Sequence, residues 1–332
     1  MNILLTGGAG YIGSHTAVEL LQKNHSVIIF DNLSNSDINV LDKIEKITGK
    51  RPDFVKGDVR SREDLQKLYD SKKIDCVIHF AGLKAVGESV AEPLMYYENN
   101  FNGTVYLLQE MKKHNVKNII FSSSATVYKP TDKNPITEEY ELGASNPYGR
   151  TKLFIEEMLK DLYASDKSFN VVLLRYFNPI GAHSSGLLGE NPSGIPNNLM
   201  PYICRVATGK LEILSVFGND YPTKDGTGVR DYIHVMDLAS GHAKAIDKIE
   251  ENCGLAVYNL GTGIGYSVLD IVNTFNKVNG NLVKYKIAPR RDGDLAEYYA
   301  CAKKANDELG WKAEKTLEDM CRSAYLYEKN NG

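Results

Sequence analysis

Short apolar runs alternate with longer segments of helical spacing through the first half of the chain. Residues 2–6 and 26–30 are apolar and of strand length, and residues 14–23 between them have the length and spacing of a helix. The alternation continues with strands predicted at 53–56, 75–80, 118–121 and 171–174, and with helices predicted at 37–48, 61–71, 94–114 and 147–165. This order of elements predicts a parallel sheet covered by helices on both faces.

The pattern changes after residue 177. Residues 178–198 are rich in Gly, Pro, Ser and Asn, and loops of that length are usually functional or disordered. Shorter elements follow, with helices predicted near 198–207, 235–249, from 267 and from 316, and strands near 213–217 and 257–260. We expect an α/β protein with a large doubly wound domain at 1–177, to which later segments return, and a smaller α/β lobe at 178–332.

A glycine-rich turn separates the first predicted strand from the first predicted helix. Gly7 and Gly8 combine with Gly10 and Gly13 in two overlapping spacings, which let the backbone approach a pyrophosphate and present a helix N-terminus to it. Asp31 ends the next strand, where it would accept from an adenosine ribose hydroxyl. No Arg or Lys lies within several residues of Asp31 to neutralise a 2′-phosphate. The turn alone also fits an ordinary α/β protein, but its context predicts a Rossmann-type domain that binds NAD rather than NADP.

Composition narrows the range of partners. The formal net charge is −3, which gives no indication of nucleic acid or a membrane surface as the main partner. The five cysteines are scattered without a CxxC pair or a Cys/His cluster, so neither a disulfide framework nor a metal site is indicated. The chain opens directly as a strand, without a segment of signal-peptide type. We expect a cytoplasmic protein.

Candidate chemistry lies at the start of the helix predicted at 147–165. Asn146 suits the N-cap and Pro147 the first helical position, and Tyr148 and Lys152 then share one face. A free phenol has a pKa of about 10, so a nearby ammonium, the helix N-terminus and a cationic nicotinamide would be needed to favour the phenolate. Ser124, at the end of a predicted strand, could steer a substrate hydroxyl. Tyr-x-x-x-Lys arises often by chance, and its order along this fold is what makes it informative.

Seven stretches of the sequence resemble those of a known family. They are 7–15 (GGAGYIGSH), 79–89 (HFAGLKAVGES), 122–128 (SSSATVY), Tyr148 with Lys152, 175–179 (RYFNP), 230–234 (RDYIH) and 290–294 (RRDGD). The chain resembles the extended short-chain dehydrogenase/reductase family and, within it, the UDP-glucose 4-epimerases over essentially its whole length. The second stretch and the loop at 178–183 (NPIGAH) are specific to the epimerase subgroup.

The resemblance implies reversible interconversion of UDP-glucose and UDP-galactose. Hydride passes from the sugar C4 to bound NAD, the 4-keto sugar turns about its bonds to the diphosphate, and the hydride returns to the opposite face. The resemblance implies that Tyr148 is the base, that Ser124 assists proton transfer, and that Lys152 holds the nicotinamide ribose and lowers the tyrosine pKa. We therefore expect a NAD-binding domain at 1–177 and a UDP-sugar-binding lobe at 178–332. The resemblance also implies a homodimer.

The resemblance also assigns residues to each ligand. For NAD, beyond those already named, it implies Tyr11, Ile12, Asn32, Asn35, Asp58, Val59, Phe80, Ala81, Gly82, Lys84, Asn99 and Phe177. For the UDP-sugar it implies Lys84, Tyr176, Asn178, Asn198, Leu199, Phe217, Arg230, Arg291, Asp294 and Tyr298. Among these, the two arginines neutralise the diphosphate, Phe217 packs near the uracil, and Asp294 accepts from the uridine ribose. Arginine's planar fork suits phosphate oxygens, in agreement with that assignment.

Two positions distinguish this chain. Lys129 stands where family members commonly have glycine. Tyr298 stands where members with a small residue accept N-acetylated sugars, and a tyrosine should fill that space. Tyr298 as an ordinary packing aromatic is the alternative.

Two other functions share the fold. A nucleotide-sugar 4,6-dehydratase needs an additional acid and base, which such enzymes carry as an Asp-Glu pair after the catalytic hydroxyl, but Ser124 is followed by Ala125 and Thr126. A NAD-binding sensor without turnover would tend to lose the pair formed by Tyr148 and Lys152, which is intact.

Overall fold

The computed structural model describes residues 1–192, 194–291 and 293–331, and the chain divides into two compact units. Unit 1 comprises Met1–Lys129, Glu139–Tyr176 and Ala239–Tyr258, and unit 2 comprises Pro130–Glu138, Phe177–Leu238 and Asn259–Gly332. Each unit has its own hydrophobic core. In the part of the chain that is described, no helix has the length and apolar character needed to cross a membrane.

The elements are numbered here in chain order. The strands are β1 Asn2–Thr6, β2 Ser26–Asp31, β3 Asp53–Lys56, β4 Cys76–His79, β5 Asn118–Ser124, β6 Asn170–Tyr176, β7 Asn178–Ile180, β8 Leu214–Phe217, β9 Val229–His234, β10 Leu255–Leu260, β11 Gly265–Ser267, β12 Tyr285–Ala288 and β13 Glu297–Tyr298. The helices are α1 Tyr11–Gln22, α2 Val40–Thr48, α3 Arg62–Ser71, α4 Val86–Ala91, α5 Pro93–Tyr96, α6 Gly103–Lys113, α7 Pro147–Ser165, α8 Leu199–Ala207, α9 Val235–Glu250, α10 Val268–Asn279, α11 Lys303–Leu309 and α12 Leu317–Asn331.

The sheet of unit 1 has the strand order β10-β6-β5-β4-β1-β2-β3, and β1 to β6 pair in parallel. Strand residues such as Ile3, Leu4 and Leu5 are fully buried because the sheet is covered on both faces. The predicted Rossmann-type doubly wound sheet is confirmed. Strand order reverses between β1 and β4, and ligands of such sheets bind at the carboxyl ends of the strands around that point.

Unit 2 is the smaller α/β lobe. Strand β9 pairs antiparallel with β11 and parallel with β7 and β13, while β8 pairs in parallel with β12. Side chains of α8, α10 and α12, such as Ile203, Phe275 and Met320, are fully buried in the core of this unit. The short strands of this unit carry charged residues, such as Arg230 on β9, and the buried helices support those strands.

Some elements differ from the predictions. Helix α1 begins at Tyr11, three residues earlier than expected, so the end of the glycine motif is already helical. The long helix expected at 94–114 contains a π-helical stretch at Tyr97–Asn102 between α5 and α6. Strand β9 was not predicted, because it begins with polar residues and its pairing partners are distant in sequence. Residues 178–180, expected to be irregular, form β7 through pairing with β9.

Candidate active site

The glycine-rich turn after β1 allows two close backbone approaches. Gly7 has a φ of +68°, and a Cβ there would lie 2.7 Å from the backbone nitrogen of Ala81. A Cβ at Gly13 would lie 2.7 Å from the carbonyl oxygen of Gly7. The N-cap of α1 is Gly10, which makes no side-chain hydrogen bond to the first turn, where Tyr11 and Ile12 lie. The turn therefore has the form that a pyrophosphate requires.

Asp31, at the end of β2, is buried and held in a fixed orientation. Its Oδ2 accepts from the backbone nitrogen of Ala9 at 3.0 Å, and its Oδ1 accepts from Leu33 at 2.8 Å and from the Ser36 hydroxyl at 2.9 Å. The carboxylate thus links the glycine-rich turn to the loop after β2, in which Asn35 is exposed.

Arg60 is a cation that lies near the loop after β2, although it is far from Asp31 in the sequence. Asn32 donates to Asp58 Oδ2 at 2.9 Å, and Arg60 donates to the same carboxylate from Nε at 3.0 Å and from Nη2 at 2.7 Å. The hydrogen bond from Arg60 is the main cause that lowers the pKa of Asp58 to about 2. Arg60 is therefore engaged by a carboxylate.

The segment after β4 carries four predicted cofactor residues, and Asn100 holds it from one side. Asn100 accepts from the Leu83 nitrogen at 2.8 Å and donates to the Leu83 oxygen at 3.0 Å and to Thr151 at 3.1 Å. The neighbouring Asn99 donates to Asn100 at 2.9 Å. Asn100 was missed, although the Asn99-Asn100 pair in the sequence was a signal. The predicted residues in or next to this segment are Phe80, Ala81, Gly82, Lys84 and Asn99.

The start of α7 is built as expected. Asn146 accepts from the backbone nitrogen of Gly149 at 2.9 Å, and Pro147 occupies the first turn. Tyr148, Lys152 and Ser124 are 7%, 4% and 7% exposed, and Ser124 hydrogen bonds to Tyr148. Ser124 and Tyr148, which are 24 residues apart in the sequence, thus lie together at the carboxyl end of β5.

Burial has the largest effect on the pKa values of Tyr148 and Lys152. Burial raises the pKa of Tyr148, and the hydrogen bond from Ser124 opposes that shift. Burial lowers the pKa of Lys152 to about 8, and Glu156 opposes that shift. Lys152 Nζ donates to the carbonyl oxygen of Ser122 at 2.8 Å. The lower tyrosine pKa expected from the lysine is not found in the protein alone, because desolvation of the phenolate is the larger effect.

Two further side chains lie close to this group. The Ser122 hydroxyl donates to the Tyr176 hydroxyl at 3.0 Å. His79, fully buried at the end of β4, lies 2.6 Å from the Thr6 hydroxyl and 2.8 Å from the Thr104 hydroxyl. Burial, followed by the charge of Lys152, lowers the pKa of His79 to about 3. His79 is therefore a neutral link between β1, β4 and α6, which sequence reasoning missed although it opens the stretch 79–89.

In unit 2, Arg230 and Asp294 are brought together. Arg230 on β9 donates from Nη1 to the carbonyl oxygens of Val229 and Leu295, both at 2.8 Å, and its Nη2 lies 3.4 Å from Asp294 Oδ1. The guanidinium is thus oriented by the backbone while part of it still faces a carboxylate. The stretch 290–294 includes Asp292, which lies outside the described residues.

Two other predicted UDP-sugar contacts in unit 2 are engaged by side chains. The Arg291 guanidinium carbon lies 4.0 Å from the centre of the Phe217 ring, and Asn198 donates to Glu190 at 2.7 Å. A cation therefore covers the ring that was expected to pack near a uracil.

Tyr298 on β13 lies opposite Arg230 in the strand pairing, and its ring centre is 5.5 Å from that of Phe177. Asp231, which is fully buried, accepts from the backbone nitrogens of Thr262 at 2.8 Å and Ala300 at 3.2 Å. This missed residue holds the chain just beyond Tyr298, and its position beside Arg230 in the stretch 230–234 was the available signal.

The remaining predicted residues are placed as follows. Val59 is buried in the core of unit 1, and Asn178 and Leu199 begin β7 and α8 in unit 2. Lys129 donates to both carboxylate oxygens of Glu141, at 2.9 and 3.1 Å, and its backbone is not in the left-handed region. The position therefore has no conformational need for glycine.

Comparison with known proteins adds to this geometry. A family model described as GDP-mannose 4,6 dehydratase matches residues 4–324. The chain is 57% identical to the UDP-glucose 4-epimerase of Bacillus subtilis (strain 168) over 331 residues, which cover 100% of this chain and 98% of that protein. The likeness therefore extends over both units.

Two solved structures are similar in the same way. The UDP-glucose 4-epimerase of Bifidobacterium longum, in complex with NAD+ and UDP, has a TM-score of 0.96 and 55% identity, with 100% of this chain and 99% of that chain covered. The enzyme of Stenotrophomonas maltophila, with bound NAD and formylated UDP-arabinopyranose, has a TM-score of 0.97 and 50% identity, with 99% and 98% covered. On sequence and fold together, the chain belongs to the UDP-glucose 4-epimerase family.

Proposed function

We propose that this protein interconverts UDP-glucose and UDP-galactose with a bound NAD that is regenerated in each turnover. The observation that carries the proposal is the buried group at the carboxyl end of β5, where Tyr148 hydrogen bonds to Ser124 one helical turn before Lys152. Whole-length identity to an epimerase supports the reaction class.

The residues of unit 1 fit NAD. Gly7 and Gly13 leave no room for a Cβ, Gly10 caps α1 without a side chain, and Asp31 is buried and fixed as an acceptor. Bound there, NAD supplies a reversible hydride acceptor and, when oxidised, a positive charge. The engagement of Arg60 by Asp58 supports the preference for NAD, because that cation is not available to a 2′-phosphate.

Tyr148 would take the proton from the sugar 4-hydroxyl through Ser124. Since burial raises the pKa of Tyr148, the phenol needs nearby positive charge to act as a base at neutral pH. The ammonium of Lys152 supplies part of that charge and would also hold the nicotinamide ribose. Tyr176, which is hydrogen bonded to Ser122, is the adjoining polar contact for the sugar.

Unit 2 would hold the nucleotide while the sugar turns. Arg230 and Arg291 neutralise the diphosphate, Phe217 packs near the uracil, and Asp294 accepts from the ribose. The oriented guanidinium of Arg230 supports this role, since a fixed fork loses little freedom when it binds phosphate. Asn178, Asn198 and Leu199 complete the nucleotide-sugar contacts.

A dehydratase is disfavoured, although the matching family model carries that description. Ser124 is followed by Ala125, which is buried, and by Thr126, whose hydroxyl donates to Ser124 at 3.0 Å. A hydroxyl in place of a carboxyl group cannot supply the acid or base that elimination requires.

We also propose a cytoplasmic homodimer. Helices α4, α5 and α7 carry exposed apolar side chains, with Val90 64%, Leu94 82% and Phe154 46% exposed. Exposed apolar side chains of this kind suit a two-fold interface. Sedimentation equilibrium should give twice the chain mass, and Leu94→Glu should give the monomer mass. A monomeric parent protein would contradict the proposal.

The decisive experiment uses the purified protein without added NAD. We expect conversion of UDP-galactose to UDP-glucose, detected by a coupled UDP-glucose dehydrogenase assay, and stoichiometric NAD released by denaturation. Bound NAD with no product would indicate a sensor, and release of a 4-keto-6-deoxy sugar would indicate a dehydratase. Protein that lacks nucleotide and needs millimolar NAD would contradict a resident cofactor.

A further inference from the structure

A buried ion pair in unit 1 has no part in the chemistry described so far. The side chains of Arg175 on β6 and Glu156 on α7 are 2% and 0% exposed. Arg175 donates from Nε to Glu156 Oε1 at 2.9 Å and from Nη2 to Oε2 at 2.5 Å. Ser123 donates to Oε1 at 2.5 Å, and Arg175 Nη1 donates to the Tyr128 hydroxyl at 3.1 Å. The carboxylate is thus held by two residues of neighbouring strands.

The pair continues the row of side chains that begins with Tyr148. Tyr148, Lys152 and Glu156 are spaced by four residues and lie on one face of α7. Each meets the serine run at the end of β5, because Ser124 bonds to the tyrosine, the Ser122 carbonyl accepts from the lysine and Ser123 donates to Glu156. Three consecutive strand residues therefore fix three successive turns of the helix.

Stability is not a sufficient reason for such a pair. Replacing a buried ion pair by apolar side chains of similar volume is often neutral or stabilising, because both charges must be desolvated. Glu156 nevertheless lies one helical turn from Lys152. Burial lowers the pKa of Lys152 to about 8, and the charge of Glu156 opposes that shift. The carboxylate therefore supports the charged form of the lysine.

The other groups around Lys152 do not replace this charge. From β4 it faces His79, which is neutral above about pH 3. From β5 it meets the Ser122 carbonyl and the Phe121 ring, whose centre is 4.8 Å away. Tyr148 on its own helix is a phenol before it acts. On β6, Tyr176 is likewise a phenol, and the guanidinium of Arg175 is of the wrong sign.

We propose that Glu156 is a positioning residue for Lys152. Arg175 and Ser123 anchor the Glu156 carboxylate, which then fixes the lysine-bearing turn of α7 and holds a negative charge beside the ammonium. The inference rests on the proposed function in one respect, namely that Lys152 acts there as a cation. Its effect on the lysine itself is independent of turnover.

The test follows the ionisation of Lys152 by NMR in the purified protein with lysine labelled at the ε-carbon. The Lys152 signal is the one absent from Lys152→Met. In the double variant Glu156→Gln with Arg175→Met, which leaves neither charge buried alone, the titration midpoint should fall, because Glu156 and not Arg175 is the charge that shifts the pKa of Lys152. Glu156→Gln alone should give the same direction if it folds. Glu157→Gln is the matched control, since it removes an exposed carboxylate paired with Lys160 from the same helix and should leave the midpoint unchanged.

Epimerase activity provides the second readout. The basic limb of the pH profile of kcat/KM should move to lower pH in the double variant, by about the shift in the lysine midpoint, and should not move in Glu157→Gln. An unchanged Lys152 midpoint, or activity lost equally at every pH, would overturn the proposal. Inactivity of the parent protein would instead refute the proposed function, while the NMR titration would still decide the role of Glu156.

Discussion

The predicted reacting groups of unit 1 and the predicted nucleotide contacts of unit 2 differ in their burial and in the contacts they already make. Tyr148, Lys152 and Ser124 are all more than nine-tenths buried and bonded to neighbours within their own sheet and helix. Asp294 and Asn198 in unit 2 are exposed and paired with other polar side chains. On the proposed function, the reacting groups of unit 1 are organised before substrate arrives, whereas Asp294 and Asn198 of unit 2 would exchange existing contacts for those of the ligand.

This contrast makes a kinetic prediction. Loss of a group that acts only on the reacting atoms lowers kcat, whereas loss of uniform binding raises KM. Substitutions in unit 1 should therefore appear mainly in kcat and those in unit 2 mainly in KM.

The largest effect is expected from Tyr148→Phe. Removing the phenolic base should lower kcat by about 10²–10⁴-fold, while NAD remains bound. Tyr163→Phe, on the same helix, is the control and should keep near-normal turnover. Steady-state kinetics and quantification of bound nucleotide check both, and near-normal activity of Tyr148→Phe would show that another residue is the base.

A smaller effect is expected from Arg291→Met. Loss of a charge-assisted contact to the diphosphate should raise KM for UDP-galactose by about 10–100-fold with a lesser change in kcat. Arg290→Met is the neighbouring control, because Arg290 is paired with Asp220 and lies 4.0 Å from the Tyr221 ring centre. If kcat fell and KM did not, the division of labour between the units would be wrong.

Tyr298→Ala should change selectivity. Opening space beside the sugar should raise kcat/KM for UDP-N-acetylglucosamine relative to UDP-glucose by about 10-fold or more. Tyr299→Ala, at the next position of an extended segment, should change both substrates equally. An unchanged ratio in Tyr298→Ala would favour a packing role for this tyrosine.

Lys129→Gly should have the smallest effect. Its side chain forms an exposed ion pair with Glu141, and the backbone does not require glycine. Activity within about twofold of the parent is expected, as for most surface substitutions. A large loss in the epimerase assay would show that the loop matters to the site.

Local signals were sufficient for the first strands and for helix α7. Helix α7 spans the predicted residues because Asn146 and Pro147 specify its start within a few residues. The positions of Tyr148 and Lys152 follow from that start. Ser124 was predicted from its place at the end of a parallel strand, where ligands bind in such sheets, together with its order along the fold relative to Tyr148 and Lys152.

Long-range pairing could not be predicted in the same way. Strand β9 has Arg230 and Asp231 within it, so an apolar pattern does not mark its start, and its partners are β7, β11 and β13. Arg60 and Asn32 share the Asp58 carboxylate because β2 and β3 are adjacent. Burial raises the pKa of Tyr148, and the sequence does not reveal that cost of desolvation.

The buried His79 contributes to the acid sensitivity of unit 1, because the fold holds its imidazole uncharged. In the folded protein its pKa is about 3, whereas a histidine in an unfolded chain titrates near 6.5. Between these values the unfolded chain binds a proton that the folded protein does not. The stability contributed by this group is therefore complete above about pH 6.5 and decreases as the pH falls toward 3. Acid would break the contacts to Thr6 and Thr104 by unfolding the sheet, not by charging the ring in place.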